Sequence, residues 1–151
     1  MFRLENTQIQ LDTAINSDAM NAAKILIVED ELIPATNIAR NLKRKGYIVL
    51  SLVKSGEAAL EQIAQEQPDL ILMDIHLQGT MNGIETAEEI LKRYHIPIIY
   101  LTAYSDQTTL DQAQQTQPSG YLVKPFKTQQ IYEMVEAVLQ QQSDSAALPT
   151  S

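Results

Sequence analysis

The run Asp69-Leu70-Ile71-Leu72-Met73-Asp74 sets four apolar residues in a row between two carboxylates. An apolar run of this length without alternation reads as a strand buried on both faces, the habit of parallel sheets. Three similar runs occur elsewhere in the chain. Lys24-Ile25-Leu26-Ile27-Val28 leads into Glu29-Asp30, Ile96-Pro97-Ile98-Ile99-Tyr100-Leu101 into Thr102, and Gly120-Tyr121-Leu122-Val123 into Lys124-Pro125. Helical patterns separate them, so strand and helix alternate, the signature of a doubly wound α/β sheet. Such sheets bind ligands outside the carboxyl ends of their strands, at the switch in strand order. Two acidic strand ends, one hydroxyl and one ammonium are therefore expected to converge on a single pocket.

The intervening segments supply the rest of the fold. Residues Glu31 to Lys45 read as a helix, with Pro34 in its opening turn, Gly46 as its stop, and Lys43, Arg44 and Lys45 complementing its negative end. A strand over Tyr47 to Val53 follows. Ser55 caps a second helix, with Ala58, Leu60 and Ile63 facing inward and Pro68 beyond its end. A third helix begins at Asn82 or Gly83, with Ile84, Ala87, Ile90 and Leu91 on its apolar side. Ser105 to Thr116 is a weaker helix with few packing residues. Thr128 to Gln141 closes the domain, with Ile131, Val135, Val138 and Leu139 at helical spacing. The count is five strands and five helices. Residues 1–23 read as a polar N-terminal extension, 24–139 as the folded unit, and 140–151 as a flexible C-terminal tail or linker.

Composition narrows the function. The chain has 151 residues and a formal net charge of -8, which argues against a surface that tracks nucleic-acid phosphates. One domain of this length buries roughly 70% of its unfolded surface. With no cysteine there is neither a disulfide nor a thiolate metal site. No secretory signal and no membrane-length apolar run stand out, so a cytoplasmic location is expected.

Chemistry concentrates at the strand ends. Glu29, Asp30 and Asp74 belong together if their strands are neighbours. Two unit charges about 4 Å apart repel by roughly 4 kcal/mol at an effective dielectric of 20. Such a cluster calls for a cation, and an all-oxygen donor set fits Mg²⁺ better than zinc. Asp74 is the expected nucleophile, because a carboxylate beside a divalent cation attacks phosphorus in line to give an acyl phosphate. Thr102 and Lys124 supply a hydroxyl and an ammonium for the remaining phosphoryl oxygens. Pro125 holds Lys124 extended.

The constellation Glu29-Asp30, Asp74, Thr102-Ala103 and Lys124-Pro125-Phe126 resembles the receiver domain of two-component response regulators over about residues 24–139. The resemblance implies a flavodoxin-like fold with strand order 2-1-3-4-5, and phosphorylation of Asp74 by a histidine kinase or a histidine phosphotransfer domain. It also implies Mg²⁺ bound by the side chains of Asp30 and Asp74, by the backbone carbonyl of His76, and by Glu29 through water. Thr102 and Lys124 would contact the phosphoryl oxygens. Tyr121 matches the aromatic position that turns inward on activation, and the bond before Pro125 would be cis. Output would pass to a downstream protein through the fourth helix, fifth strand and fifth helix. Leu32, Ile33 and Pro34 offer an apolar patch where a phosphodonor helix could dock.

Two departures stand out. Gln78 occupies a position where many members carry proline, and the loop to Gly83 is one residue longer. His76 and Tyr104, two residues after the acceptor and the hydroxyl, are bulky and flank the path of attacking water, so slow self-dephosphorylation is expected. No effector module is expected in the residues after 139, which suits a single-domain regulator or a receiver excised from a longer protein. An enzyme of the haloacid dehalogenase type would need a second aspartate where His76 stands. A pseudo-receiver would lack pocket residues that are all present here.

Overall fold

In the computed structural model, which describes residues 22–103 and 107–147, five strands form one parallel sheet. They are β1 (Lys24–Val28), β2 (Ile48–Val53), β3 (Leu70–Asp74), β4 (Ile98–Ala103) and β5 (Gly120–Lys124), in the order β2-β1-β3-β4-β5. The three central strands are the ones with continuous apolar runs, and they are almost wholly buried. The edge strand β2 interrupts its run with Ser51 and leaves Ile48 and Leu52 partly in solvent.

Five helices cover the sheet: α1 (Leu32–Arg44), α2 (Gly56–Gln65), α3 (Gly83–Leu91), α4 (Gln107–Gln115) and α5 (Thr128–Ala147). Side chains alternate across each strand, so the core divides into two layers. Leu26, Val28, Ile71, Met73 and Tyr100 pack with Ile63 of α2 and Ile84 and Ile90 of α3. Ile25, Ile27, Leu72 and Leu101 pack on the other face with Ile38 and Leu42 of α1 and Val135 of α5. Ser55 caps α2 by accepting from the Ala58 N–H at 3.1 Å. Asn82 and Glu85 form a reciprocal capping box that starts α3.

Several sequence expectations shift. The buried alanine of α2 is Ala59, one position after Ala58, and Leu91 is 37% exposed at the end of α3. Leu32 is 64% exposed and belongs to the surface patch with Ile33. α5 runs to Ala147, past the expected stop at Gln141, because no glycine or proline interrupts the Gln/Ser/Ala stretch before Pro149. Residues 1–21 of the expected extension, residues 148–151 of the expected tail, and Ser105 of the expected fourth helix lie outside the described residues. Among the described residues, no helix is long and apolar enough to cross a membrane.

Tyr100 was not marked by the sequence, yet it is among the largest fully buried side chains. Burial pushes its phenol up to about 12, against the opposing hydrogen bond to Thr116. A folded-state value above the unfolded one means stability that is complete below about pH 10 and is lost as pH rises toward 12. Two pH units correspond to about 3 kcal/mol at most. Alkaline unfolding of the protein should therefore be steep above pH 10, and shallower in Tyr100→Phe. Equal unfolding free energies from urea melts at pH 9 and pH 11 would contradict this.

Candidate functional site

Strand register brings the expected groups to one edge of the sheet. Val28 lies opposite Met73, Asp74 opposite Leu101, Thr102 opposite Val123, and Ala103 opposite Lys124. The strands are parallel, so their carboxyl ends face the same way, and Glu29, Asp30, Asp74, Thr102 and Lys124 all emerge there.

Lys124 links two of the acids. Its Nζ lies 2.8 Å from Glu29 Oε1 and 3.5 Å from Asp74 Oδ2. The Glu29 side chain is fully buried and that of Asp74 is 5% exposed. Desolvation pulls the Lys124 ammonium down, but the Glu29 hydrogen bond and the charges of Asp74 and Glu29 outweigh it and hold the group above its usual value. Backbone donors fix the carboxylates as well. The His76 N–H donates to Asp74 Oδ1 at 3.0 Å, the Glu31 N–H to Glu29 Oε2 at 3.2 Å, and the Gln78 N–H to Asp30 Oδ2 at 3.2 Å. The Gln78 N–H is thus a donor that the proline suggested at this position by the resemblance would lack.

One acid was missed. Carboxylate oxygens of Glu29, Asp30 and Glu31 lie within 4.8 Å of one another. Asp74 joins this group through Lys124. Glu31 read as the first helical residue, and in the structure it is the cap residue of α1 without a side-chain cap bond. Among the described residues, Lys124 is the one basic side chain paired with these four acids. An all-oxygen set with surplus negative charge suits a hard divalent cation.

Thr102 is 1% exposed, and its hydroxyl donates to the Ala103 carbonyl at 3.1 Å. It lines a hollow of about 350 Å³ together with Leu110, Gln114, Tyr121 and Val123. Tyr121 is half-buried and its hydroxyl donates to Gln114 Oε1 at 2.9 Å. The His76 side chain is exposed, whereas Tyr104 lies outside the described residues. The Lys124–Pro125 bond is cis, as the resemblance implied.

A family model described as the response regulator receiver domain matches residues 25–136. The chain belongs to this family. Its fold is the flavodoxin-like receiver fold, seen in solved receiver domains. The signal receiver domain of a modulated diguanylate cyclase from Desulfovibrio desulfuricans G20 is 31% identical, with a TM-score of 0.78, covering 83% of this chain and 99% of that one. The N-terminal domain of a response regulator/sensory box/GGDEF protein from Carboxydothermus hydrogenoformans is 35% identical, with a TM-score of 0.75, covering 82% and 98%. The transcriptional regulatory protein PdtaR of Mycobacterium tuberculosis is 30% identical over 133 residues, 88% of this chain. The chain spans 64% of the length of that relative.

Proposed function

We propose that this receiver accepts a phosphoryl group onto Asp74 from the phosphohistidine of a histidine kinase or histidine phosphotransfer domain. The observation that carries the reading is the Lys124 ammonium bridging Glu29 and Asp74 at the carboxyl edge of the sheet. As the donor P–N bond breaks, a P–O bond forms to Asp74, and the leaving imidazole keeps the electron pair. Lys124 lies where it can follow the charge from the carboxylate onto the phosphoryl oxygens. Thr102, by giving up the Ala103 carbonyl, offers its hydroxyl to a second oxygen. Glu29, Asp30, Asp74 and the His76 carbonyl would hold Mg²⁺, with Glu31 adding to the negative field. When bound, the ion supplies neutralisation of charge between carboxylate and phosphate. Output is assigned to a downstream protein contacting α4, β5 and α5. The acidic balance argues against direct nucleic-acid binding and, with no membrane helix among the described residues, suits the cytoplasm.

Treatment with acetyl phosphate and Mg²⁺ should yield one phosphoryl adduct by mass spectrometry, absent in Asp74→Asn. Rapid multiple turnover would point to a phosphatase, and no adduct to a pseudo-receiver. With His76 at the mouth of the pocket, the adduct should persist for minutes. A lifetime of seconds without a phosphatase would refute slow self-dephosphorylation.

The metal is testable by itself. Millimolar Mg²⁺ should raise the melting temperature of the wild-type protein and leave Asp30→Asn almost unmoved. In chelator, Asp30→Asn should be the more stable of the two by about 1 kcal/mol, since it relieves repulsion from Glu29 and Glu31. Equal metal response in both proteins would remove Asp30 from the ligand set.

A further inference from the structure

The loop from Ile75 to Asn82 joins the acceptor strand to α3 and is held at several points. The Gly83 N–H closes it by donating to the Ile75 carbonyl at 2.8 Å, and Leu77 anchors its middle in the core. Its exposed turn, Gln78-Gly79-Thr80, makes two further bonds to two different neighbours. The Gln78 N–H donates to Asp30 Oδ2 at 3.2 Å, and the Thr80 hydroxyl donates to Glu57 Oε1. Gly79 lies between them at a φ of +107°, which turns the chain from one bond to the other. Glu57 is a firm anchor although its own side chain is exposed. It stands in the first turn of α2, and that turn presses on α3 at Gly56, where a Cβ would collide with the Thr86 hydroxyl. Thr86 is fully buried, and its hydroxyl donates to the Asn82 carbonyl at 2.7 Å. The Thr80 bond holds the Glu57 carboxyl below the usual carboxylate range, so it accepts as an anion at neutral pH.

We propose that Glu57 and Thr80 are positioning residues for the metal site, because their hydrogen bond sets the turn from which the Gln78 N–H fixes Asp30. This rests on the proposed function only in taking Asp30 as a Mg²⁺ ligand. A carboxylate at a metal is oriented by what its other oxygen accepts, and removing such a partner commonly weakens binding by about ten- to a hundredfold. Here Gln78 takes Oδ2, which leaves Oδ1 to the cation. The same donor offsets part of the charge that Glu29 and Glu31 place within 4.8 Å of Asp30. A released Asp30 would turn away from those two acids, and binding would have to restore the one productive rotamer, which weakens it. Glu57 lies one loop away from the ion, so its effect is smaller than that of a group holding Asp30 directly.

Mg²⁺ affinity of the whole chain, read from the rise of melting temperature with Mg²⁺ concentration, tests the tie. Thr80→Val removes the donor without altering charge, so Mg²⁺ should bind about fivefold more weakly, the effect of one lost hydrogen bond. Glu57→Ala should weaken binding by a similar factor. Thr80→Ser keeps the hydroxyl and Glu57→Gln keeps an acceptor, so both should stay within about twofold of the wild type. The double variant Thr80→Val with Glu57→Ala should be no weaker than either alone, since one bond cannot be lost twice. In metal-free protein, exchange of the Gln78 amide, followed by NMR, should speed up in Thr80→Val and not in Thr80→Ser. Tighter Mg²⁺ binding in Thr80→Val would overturn the inference, because Gln78 would then hold Asp30 away from the ion. Equal weakening by Glu57→Ala and Glu57→Gln, with Thr80→Val unaffected, would also overturn it, since Glu57 would then act by its charge alone. An Asp74 adduct formed in Mg²⁺, with affinity unchanged in Thr80→Val, overturns this inference while the proposed function stands. A wild type that binds Mg²⁺ but yields no adduct overturns the function, and the affinities still decide the tie. A wild type that binds no Mg²⁺ overturns both.

Discussion

Lys124→Met should lower the folding stability of the chelator-treated protein by about 3 kcal/mol, the low end of what removing one partner of a buried ion pair does. The reason lies in Glu29. Its side chain has no exposure, its Oε1 is 2.8 Å from the ammonium, and its remaining bond comes from the Glu31 N–H. Methionine fills much of the same space but leaves that carboxylate, and Asp74 beside it, without a countercharge. The 25% exposure of Lys124 lets water offset part of the loss, which keeps the figure from the upper end of the range. A double variant, Glu29→Gln with Lys124→Met, should recover most of the deficit, because the charge has gone with its partner. Urea unfolding of the four proteins gives the coupling directly. A loss below about 1 kcal/mol in Lys124→Met would show that the pair behaves as a surface contact. Saturating Mg²⁺ should narrow the gap between wild type and Lys124→Met, since a second cation then faces the same acids.

How much of this was legible in the sequence follows from what each strand does. β1, β3 and β4 are buried on both faces, so each writes an uninterrupted apolar run that ends abruptly at a polar residue. The break is visible because the strand leaves the core there, and that is where a parallel sheet places its ligands. Glu29, Asp30, Asp74, Thr102 and Lys124 could thus be read from four line-endings. Side-chain pairing could not. That Lys124 reaches Glu29 as well as Asp74, because the longer glutamate brings a carboxylate to 2.8 Å, is written in no spacing. Thr102 turns to its neighbour's carbonyl, which depends on a rotamer no spacing reveals. Glu31 was hidden because a glutamate at a helix start is ordinary, and its closeness to Glu29 and Asp30 depends on the turn between β1 and α1. Tyr100 was hidden for another reason. A tyrosine in an apolar strand looks like any core aromatic until Thr116 appears at its hydroxyl. Helix ends were least legible where composition is monotonous, as in the glutamine-rich close of α5.

Gly83→Ala should destabilise the protein by about 3 kcal/mol and slow phosphorylation of Asp74 as well, although Gly83 touches no ligand-binding atom. The sequence marked it only as a loop glycine before a helix. In the structure, a Cβ there would stand 2.0 Å from the carbonyl oxygen of Asp74, and 2.8 Å from both the Asp74 carbonyl carbon and Ile75 Cα. All three are backbone atoms, so no side chain can rotate out of the way. Nor is the backbone free to yield. The Gly83 N–H donates to the Ile75 carbonyl at 2.8 Å, and the Ile75 N–H to the Leu101 carbonyl at 3.0 Å, which locks the acceptor strand to β4. Either α3 lifts or the end of β3 moves, and the second outcome shifts the acceptor carboxylate from Lys124. Gly79→Ala separates space from conformation. Gly79 has a φ of +107°, and a methyl group on its Cα would meet nothing within 4 Å. Alanine there costs only backbone strain, about 1–2 kcal/mol. Urea melts and the initial rate of adduct formation with acetyl phosphate should rank the two variants the same way, Gly83→Ala worse on both. Equal losses would mean that α3 accommodates the methyl group, and that the close approach of Gly83 to Asp74 does not position the acceptor.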